Sequence, residues 1–202
     1  MNNHKMTSTY KSGYLEIILG SMYSGKTSRL IEIYNQCKFC NIKVCVINHS
    51  IDNRYHDKLM STHDKNTIPC IKIDKLFDTL TDKVDIEDKL AVETCDVLLI
   101  NEGQFFSDLE NFVKHLLKLN KQIYVCGLDG DFERKKFGQI LDLIPLCDSV
   151  HKLTSLCSMC KNGTKGIFSM RLTSEKEQTI VGSDNYIPVC RMCYQKIYNK
   201  TI

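Results

Sequence analysis

Three groups of residues have the types and spacing that chemistry demands. The first is GSMYSGKT at residues 20–27, which satisfies G-x-x-x-x-G-K-[ST] in full. Gly20 and Gly25 let the backbone curl so that the N–H groups of Ser21, Met22, Tyr23 and Ser24 face inward as an anion nest. Lys26 is placed to neutralise β- and γ-phosphates, Thr27 to offer its hydroxyl to Mg²⁺, and the helix expected to follow adds partial positive charge at its start. This spacing points to a nucleoside triphosphate such as ATP. It does not identify the acceptor, because hydrolases, motors and kinases all use such a loop.

The second group ends an apolar run, VLLINEGQFF, at Asn101, Glu102 and Gln104. Strands of an open parallel sheet deliver functional side chains at their carboxyl ends, beside a phosphate loop. That place commonly holds an Asp serving Mg²⁺. Here it is Asn101, leaving Glu102 as the carboxylate. Two roles stay open for Glu102: ligand of the metal, or general base toward an attacking hydroxyl. Phe105 and Phe106 follow and offer flat apolar surface for a planar base or for ordinary core packing.

The third group is CSMC and CRMC, which bring Cys157, Cys160, Cys190 and Cys193 as two CxxC knuckles. Four thiolates complete a closed tetrahedral site suited to structural Zn²⁺. A small cysteine-rich segment with little core of its own needs such a clamp. Cys37 and Cys40 share the spacing but fall near the end of a helix, where thiolate is disfavoured, so they read as packing residues. The six histidines show no zinc-like spacing with them.

The elements that must position these groups follow from periodicity. Residues 15–19, 43–49, 69–73, 96–102 and 122–128 read as strands, with helices after the phosphate loop, at 75–80 and at 107–121. In the last of these, Ser107 and Asp108 signal a cap, and Leu109, Phe112, Val113, Leu116 and Leu117 make one apolar face. Residues 50–66 are polar and aperiodic and read as a long loop; 167–182 read as a hairpin. Strands alternating with helices predict an α/β fold, a parallel P-loop (RecA-like) sheet flanked by helices, with a small zinc-binding segment appended. The expected division is a flexible tail at 1–13, a nucleotide-binding domain at 14–150 and a zinc-binding lid at 151–202.

Bulk properties limit the alternatives. The chain has 202 residues, 43% hydrophobic and 25% charged, enough for a real core. A formal charge of +3 with no long basic run gives no reason to expect a specific nucleic-acid partner. There is no secretory h-region at the start and no apolar run near the roughly 18 residues that span a bilayer. Eleven cysteines then suggest a reducing compartment, and the chain reads as soluble and cytoplasmic, host cytoplasm if viral.

Taken in order, GSMYSGKT, IDNRY, STHDKN, INEGQFFSDL, GLDGDFERKKFG, IPLCDSVHKLTSLCSMC and NYIPVCRMCY resemble the cytosolic-type, zinc-containing thymidine kinases of cells and DNA viruses. The likeness runs from about residue 14 to 195. It implies ATP donating to the 5′-hydroxyl of thymidine, and of deoxyuridine, in nucleoside salvage, with Glu102 as general base and Lys26 and Arg54 offsetting charge. On the same resemblance Asp52, Asn53 and Arg54 lie near phosphates and metal. Met22, Phe105, Leu128, Phe132 and Phe137 enclose the thymine ring. Thr179, Ile180, Val181 and Tyr186 touch nucleoside from a lasso shaped by Arg171, and the four late cysteines hold zinc. The family also implies a homotetramer and dTTP as feedback inhibitor. Asn101 stands where many relatives carry Asp, Ser21 and Tyr23 where Pro and Phe are commoner, and Val181 where Gly often occurs. The principal alternative is a P-loop ATPase acting with nucleic acid through a zinc ribbon; a passive zinc module and a different nucleoside or nucleotide kinase are the others.

Overall fold

Leu15, Ile17, Ile18 and Leu19 are at most 4% exposed, because the strand they form is covered on both faces. The computed structural model describes residues 12–52, 58–61, 66–179 and 185–198. Its strands begin with β1 (Tyr14–Gly20), β2 (Val44–His49), β3 (Leu59–Ser61), β4 (Thr67–Pro69), β5 (Ile71–Ile73) and β6 (Val97–Ile100). They continue with β7 (Gln122–Gly127), β8 (Ser149–Leu153), β9 (Ser155–Leu156), β10 (Lys165–Gly166), β11 (Phe168–Arg171) and β12 (Tyr186–Val189). The helices are α1 (Lys26–Phe39), α2 (Ile86–Thr94), α3 (Leu109–Lys118) and α4 (Arg191–Tyr198).

The central sheet has the order β5-β2-β6-β7-β1-β8, and every pairing in it is parallel. Alternate residues of β1 point to opposite layers. Leu15, Ile17 and Leu19 join Leu109, Phe112, Val113 and Leu116 of α3, together with Val92 of α2. Ile18 joins Leu30, Ile31, Ile33 and Cys37 of α1 on the other face. Each buried Leu or Ile contributes roughly 1.5–3 kcal/mol against exposure, so this two-sided core fixes the sheet and the strand ends that carry the site. Among the described residues no helix is long and apolar enough to cross a membrane.

Several expectations need correction. Within 50–66, β3 pairs antiparallel with β4, and Met60 is fully buried. Three residues are too short a stretch for alternation to register. The run 69–73 is two elements, for β4 ends at Pro69 while β5 joins the central sheet beside β2. The helix at 75–80 is a 3₁₀ turn over Leu76–Leu80, and α2, capped by Asp85 accepting from the Asp88 N–H at 2.9 Å, was not foreseen. Asp108 takes the expected N-cap position of α3, its carbonyl accepting from the Phe112 N–H at 3.0 Å, but its side chain makes no cap hydrogen bond. Its carboxylate instead accepts from the N–H groups of Leu76 at 3.1 Å and Phe77 at 2.9 Å, orphan donors at the start of the 3₁₀ turn. The hairpin partner of β11 is β12, beyond residue 182. β8 completes the central sheet beside β1, pairing Gly20 with Leu153 at its end. Cys37 is buried in the α1 layer, whereas Cys40 caps that helix and is exposed.

Candidate active site

β1 delivers its chain to Gly20 at the carboxyl edge of the sheet, and α1 begins six residues later at Lys26. A Cβ on Gly20 would lie 2.6 Å from the Leu153 carbonyl oxygen and from Ser24 Oγ, so only glycine fits this turn. Gly25, the N-cap of α1, has φ of 85°, and a Cβ there would meet nothing within 4 Å: the loop opens onto free space. Lys26 Nζ donates to the Ser21 carbonyl at 2.8 Å, arching back over the loop. Thr27 is half-buried in the first turn of α1. Ser24 Oγ is buried without a hydrogen-bond partner in the structure, an orphaned polar atom that a bound phosphate oxygen would satisfy. These features fit a bound triphosphate and its Mg²⁺.

β7 lies between β1 and β6, pairing Ile18 with Cys126 on one side and Ile100 with Val125 on the other. The end of β6 is therefore one strand away from the loop. Cys126 reports both: burial pushes its thiol up to about 12, with Glu102 adding to the rise and Lys26 opposing it. Glu102 has φ of 54° and ψ of 40°, a left-handed conformation that costs a non-glycine residue about 1–3 kcal/mol. The turn lifts its carboxylate out of the strand direction. Gln104, 3% exposed, fixes it there, donating to Glu102 Oε2 at 2.7 Å while accepting from the Leu128 N–H at 3.0 Å.

Asn101 is 1% exposed and both ends of its amide are used inside the protein. Its Oδ1 accepts from the Cys126 thiol at 2.9 Å, and its Nδ2 donates to Asn48 Oδ1 at 2.9 Å. Asn48, fully buried at the carboxyl end of β2, donates in turn to Asp52 Oδ2 at 3.1 Å. Lys72 Nζ holds the Asp52 carbonyl at 3.0 Å. A neutral relay thus runs from β7 through β6 and β2 to the Asp52 carboxylate. His49 beside it accepts at Nδ1 from the Ile51 N–H at 3.1 Å. Burial holds its pKa below the ordinary value, against the pull of Asp74, Glu102 and Asp108.

The expected aromatic residues fall in two groups. Phe105 meets Phe137 edge-on at 5.4 Å and His49 at 5.6 Å. Phe132 lies 3.7 Å under the Arg171 guanidinium, and its carbonyl accepts from Tyr194 Oη at 2.7 Å. Arg171, 8% exposed, ties the lasso together by donating to the carbonyls of Glu175, Glu177 and Gln178 and to Tyr186 Oη. Gln178 then donates to Asp131 Oδ2 at 2.8 Å, joining lasso and body. Thr179 is half-buried at the end of this loop. Asn53, Arg54, Ile180 and Val181 lie outside the described residues.

Cys157, Cys160, Cys190 and Cys193 present sulfurs all within 4.8 Å of one another, with Cys160 at 3.7 Å from Cys190 and 3.4 Å from Cys193. A Zn–S bond of about 2.3 Å in a tetrahedron puts sulfurs about 3.8 Å apart. The N–H of Cys190 points at Cys157 Sγ from 3.2 Å. Burial raises the Cys157 thiol, but the N–H groups of Cys160, Cys190 and Met159 outweigh it and bring it down to about 6. This donor set fits zinc. The small core around it, Met170, Val189 and Tyr194, is separate from the two layers of the sheet.

Asn48, Cys126, Asp131, Gly166 and Ser169 escaped the sequence reading. Asn48 alone had a readable signal, a polar residue closing an apolar strand, as at Asn101. The others act through contacts between distant segments.

The thymidine kinase family profile matches residues 13–194. The chain is 39% identical over 190 residues to the thymidine kinase of Yaba monkey tumor virus (strain VR587), covering 94% of this chain and 98% of that one. It is 38% identical over 185 residues to the cytosolic thymidine kinase of Bos taurus, covering 91% and 73% respectively. To the thymidine kinase of Sheeppox virus (strain KS-1) it is 38% identical over 183 residues, covering 90% and 97%.

Proposed function

The chain belongs to the thymidine kinase family, and from that premise we propose how its residues divide the work of moving the γ-phosphoryl group of ATP to the 5′-hydroxyl of thymidine. The observation that carries the reading is the convergence of the Gly20–Lys26 loop and Glu102 on one sheet edge, with the Arg171-tied lasso on the adjoining Phe132 platform.

The loop N–H groups cradle the phosphates, that of Met22 excepted because it donates to Ser169 Oγ, and Lys26 leaves the Ser21 carbonyl to meet them. Thr27 and Asp52 hold Mg²⁺, which when bound neutralises charge on the transferring oxygens. Asn101 acts through Asn48, orienting Asp52 without contacting metal itself. Glu102 accepts the proton of the attacking hydroxyl, and Gln104 keeps its carboxylate aimed. Arg54 adds positive charge at the phosphates. Met22, Phe105, Leu128, Phe132 and Phe137 enclose the base, and main-chain groups of residues 179–181 with Tyr186 read its edge. A lid over the acceptor keeps water from competing for the phosphoryl group.

The four-cysteine cluster holds a structural zinc that braces the lasso. Cytoplasmic location, a homotetrameric assembly and dTTP acting as inhibitor at the acceptor site belong to the same reading. The nucleic-acid-coupled ATPase gains no support from the relatives. A panel of nucleosides incubated with labelled ATP and Mg²⁺ tests the assignment. Thymidine, with deoxyuridine behind it, is expected to gain a 5′-phosphate; label released as inorganic phosphate, or transferred equally to purine nucleosides, would refute it.

A further inference from the structure

The phosphate loop and the lasso hairpin touch through two hydrogen bonds that neither the loop pattern nor the zinc site requires. Ser21 Oγ donates to the Gly166 carbonyl at 3.0 Å, in a buried contact. One residue later, the Met22 N–H donates to Ser169 Oγ at 2.9 Å. Ser21 and Ser169 are 3% and 5% exposed. Ser21 is held at both ends, since its carbonyl receives Lys26 Nζ. On the hairpin side, β10 and β11 carry the acceptors, and Met170 and Arg171 continue β11 directly into the zinc core and the Phe132 platform.

We propose that Ser21 and Ser169 are positioning residues that couple the donor and acceptor sites, so that thymidine and ATP each tighten the binding of the other. The inference rests on the donor and acceptor assignments above. The physical basis is ordering entropy. A nucleoside held under the lasso fixes Gly166 and Ser169. These in turn fix Ser21 and Met22 in the conformation that aims the loop N–H groups and places the Ser21 carbonyl under Lys26. The cost of ordering the loop is then met by the first ligand and not again by the second. Linkage makes the effect reciprocal. Of the two neutral hydrogen bonds, about one bond's net worth passes from one ligand to the other, which sets the size at about threefold to tenfold in affinity.

The test measures dissociation constants of the full zinc-loaded chain for a non-hydrolysable ATP analogue with Mg²⁺, with and without saturating thymidine, and the reverse. In the wild type each ligand is expected to tighten the other by the same factor, about threefold to tenfold. In Ser21→Ala/Ser169→Ala the factor falls to about one, and Ser169→Ala alone, outside the phosphate loop, gives an intermediate value. Hydrogen exchange supplies a second readout: thymidine alone slows exchange across residues 20–27 in the wild type and not in the double variant. A merely structural role would lower the melting temperature and leave the coupling factor intact. Equal coupling in wild type and double variant, or independent binding of the two ligands in the wild type, overturns the latch while leaving the kinase assignment standing. Failure of thymidine to bind the wild type at all overturns both.

Discussion

Asn101→Asp swaps one atom in the buried relay, and its cost can be worked from the contacts. The Asn101 Nδ2 donor that meets Asn48 Oδ1 at 2.9 Å becomes an anionic oxygen, so two acceptors face each other in a site 1% exposed. Flipping the Asn48 amide does not relieve this, because its oxygen would then face Asp52 Oδ2, now 3.1 Å from the nitrogen. The Cys126 contact survives, since a thiol donates to either side chain. The loss is one net hydrogen bond of about 1 kcal/mol plus about 1–3 kcal/mol for an unpartnered buried acceptor, together about 2–4 kcal/mol. For a chain of this size that lowers Tm by roughly 5–15 °C. The introduced carboxyl has its folded-state pKa raised, so the folded state prefers the protonated form, which can donate to Asn48 again. The deficit is therefore smallest below the unfolded value near ~4 and grows as pH rises through the folded one. Thermal melts of both proteins without nucleotide, from pH 4.5 to 8, provide the measurement. A variant as stable as wild type at pH 8, or one whose deficit ignores pH, would show that Asn101 does not anchor the relay.

Other perturbations have equally definite outcomes. Glu102→Gln keeps an oxygen to accept from Gln104 but cannot take a proton, so kcat is expected to drop about 10²–10⁴-fold while isothermal titration finds both substrates bound within about threefold of wild type. Wild-type protein purified without chelator should hold about one zinc per four-cysteine cluster by elemental analysis; stripping it should expose 154–198 to protease and abolish thymidine binding while the far-ultraviolet spectrum of the α/β body persists. His49 is held neutral by burial and accepts from Ile51. Its folded-state pKa is depressed, so stability is complete above the unfolded value near ~6.5 and is lost as pH falls toward the folded one. His49→Gln should flatten the stability profile as pH falls below about 6.5. Arg171→Lys keeps charge but loses the planar fork that meets three carbonyls and stacks on Phe132; KM for thymidine is expected to rise about tenfold or more, with KM for ATP changing less.

The motifs that were legible share a physical property: each is local. The glycine turn needs its residues consecutive, because the nest is made of successive N–H groups. Each CxxC places two sulfurs on one knuckle. The apolar face of α3 repeats within the helix, and Leu109, Phe112, Val113 and Leu116 are buried as the periodicity requires. What failed was short or remote. β3 offered three residues, and Asp108, at the N-cap of α3, gives its carboxylate to Leu76 and Phe77, which only folding brings to it. β12 was missed as the partner of β11 because the loop between them exceeds a hairpin turn.

Amino-acid order by itself determined the phosphate loop, the carboxylate ending an apolar strand, the sulfur pairs and their family likeness, since each is written within a few neighbouring residues. Tertiary structure alone decided that β7 stands between loop and carboxylate, that Asn101 spends its amide on Cys126 and Asn48, and that Ser21 reaches Gly166. Those facts belong to pairs of side chains tens of residues apart, and only packing of the sheet and closure of the lasso bring them within bonding distance.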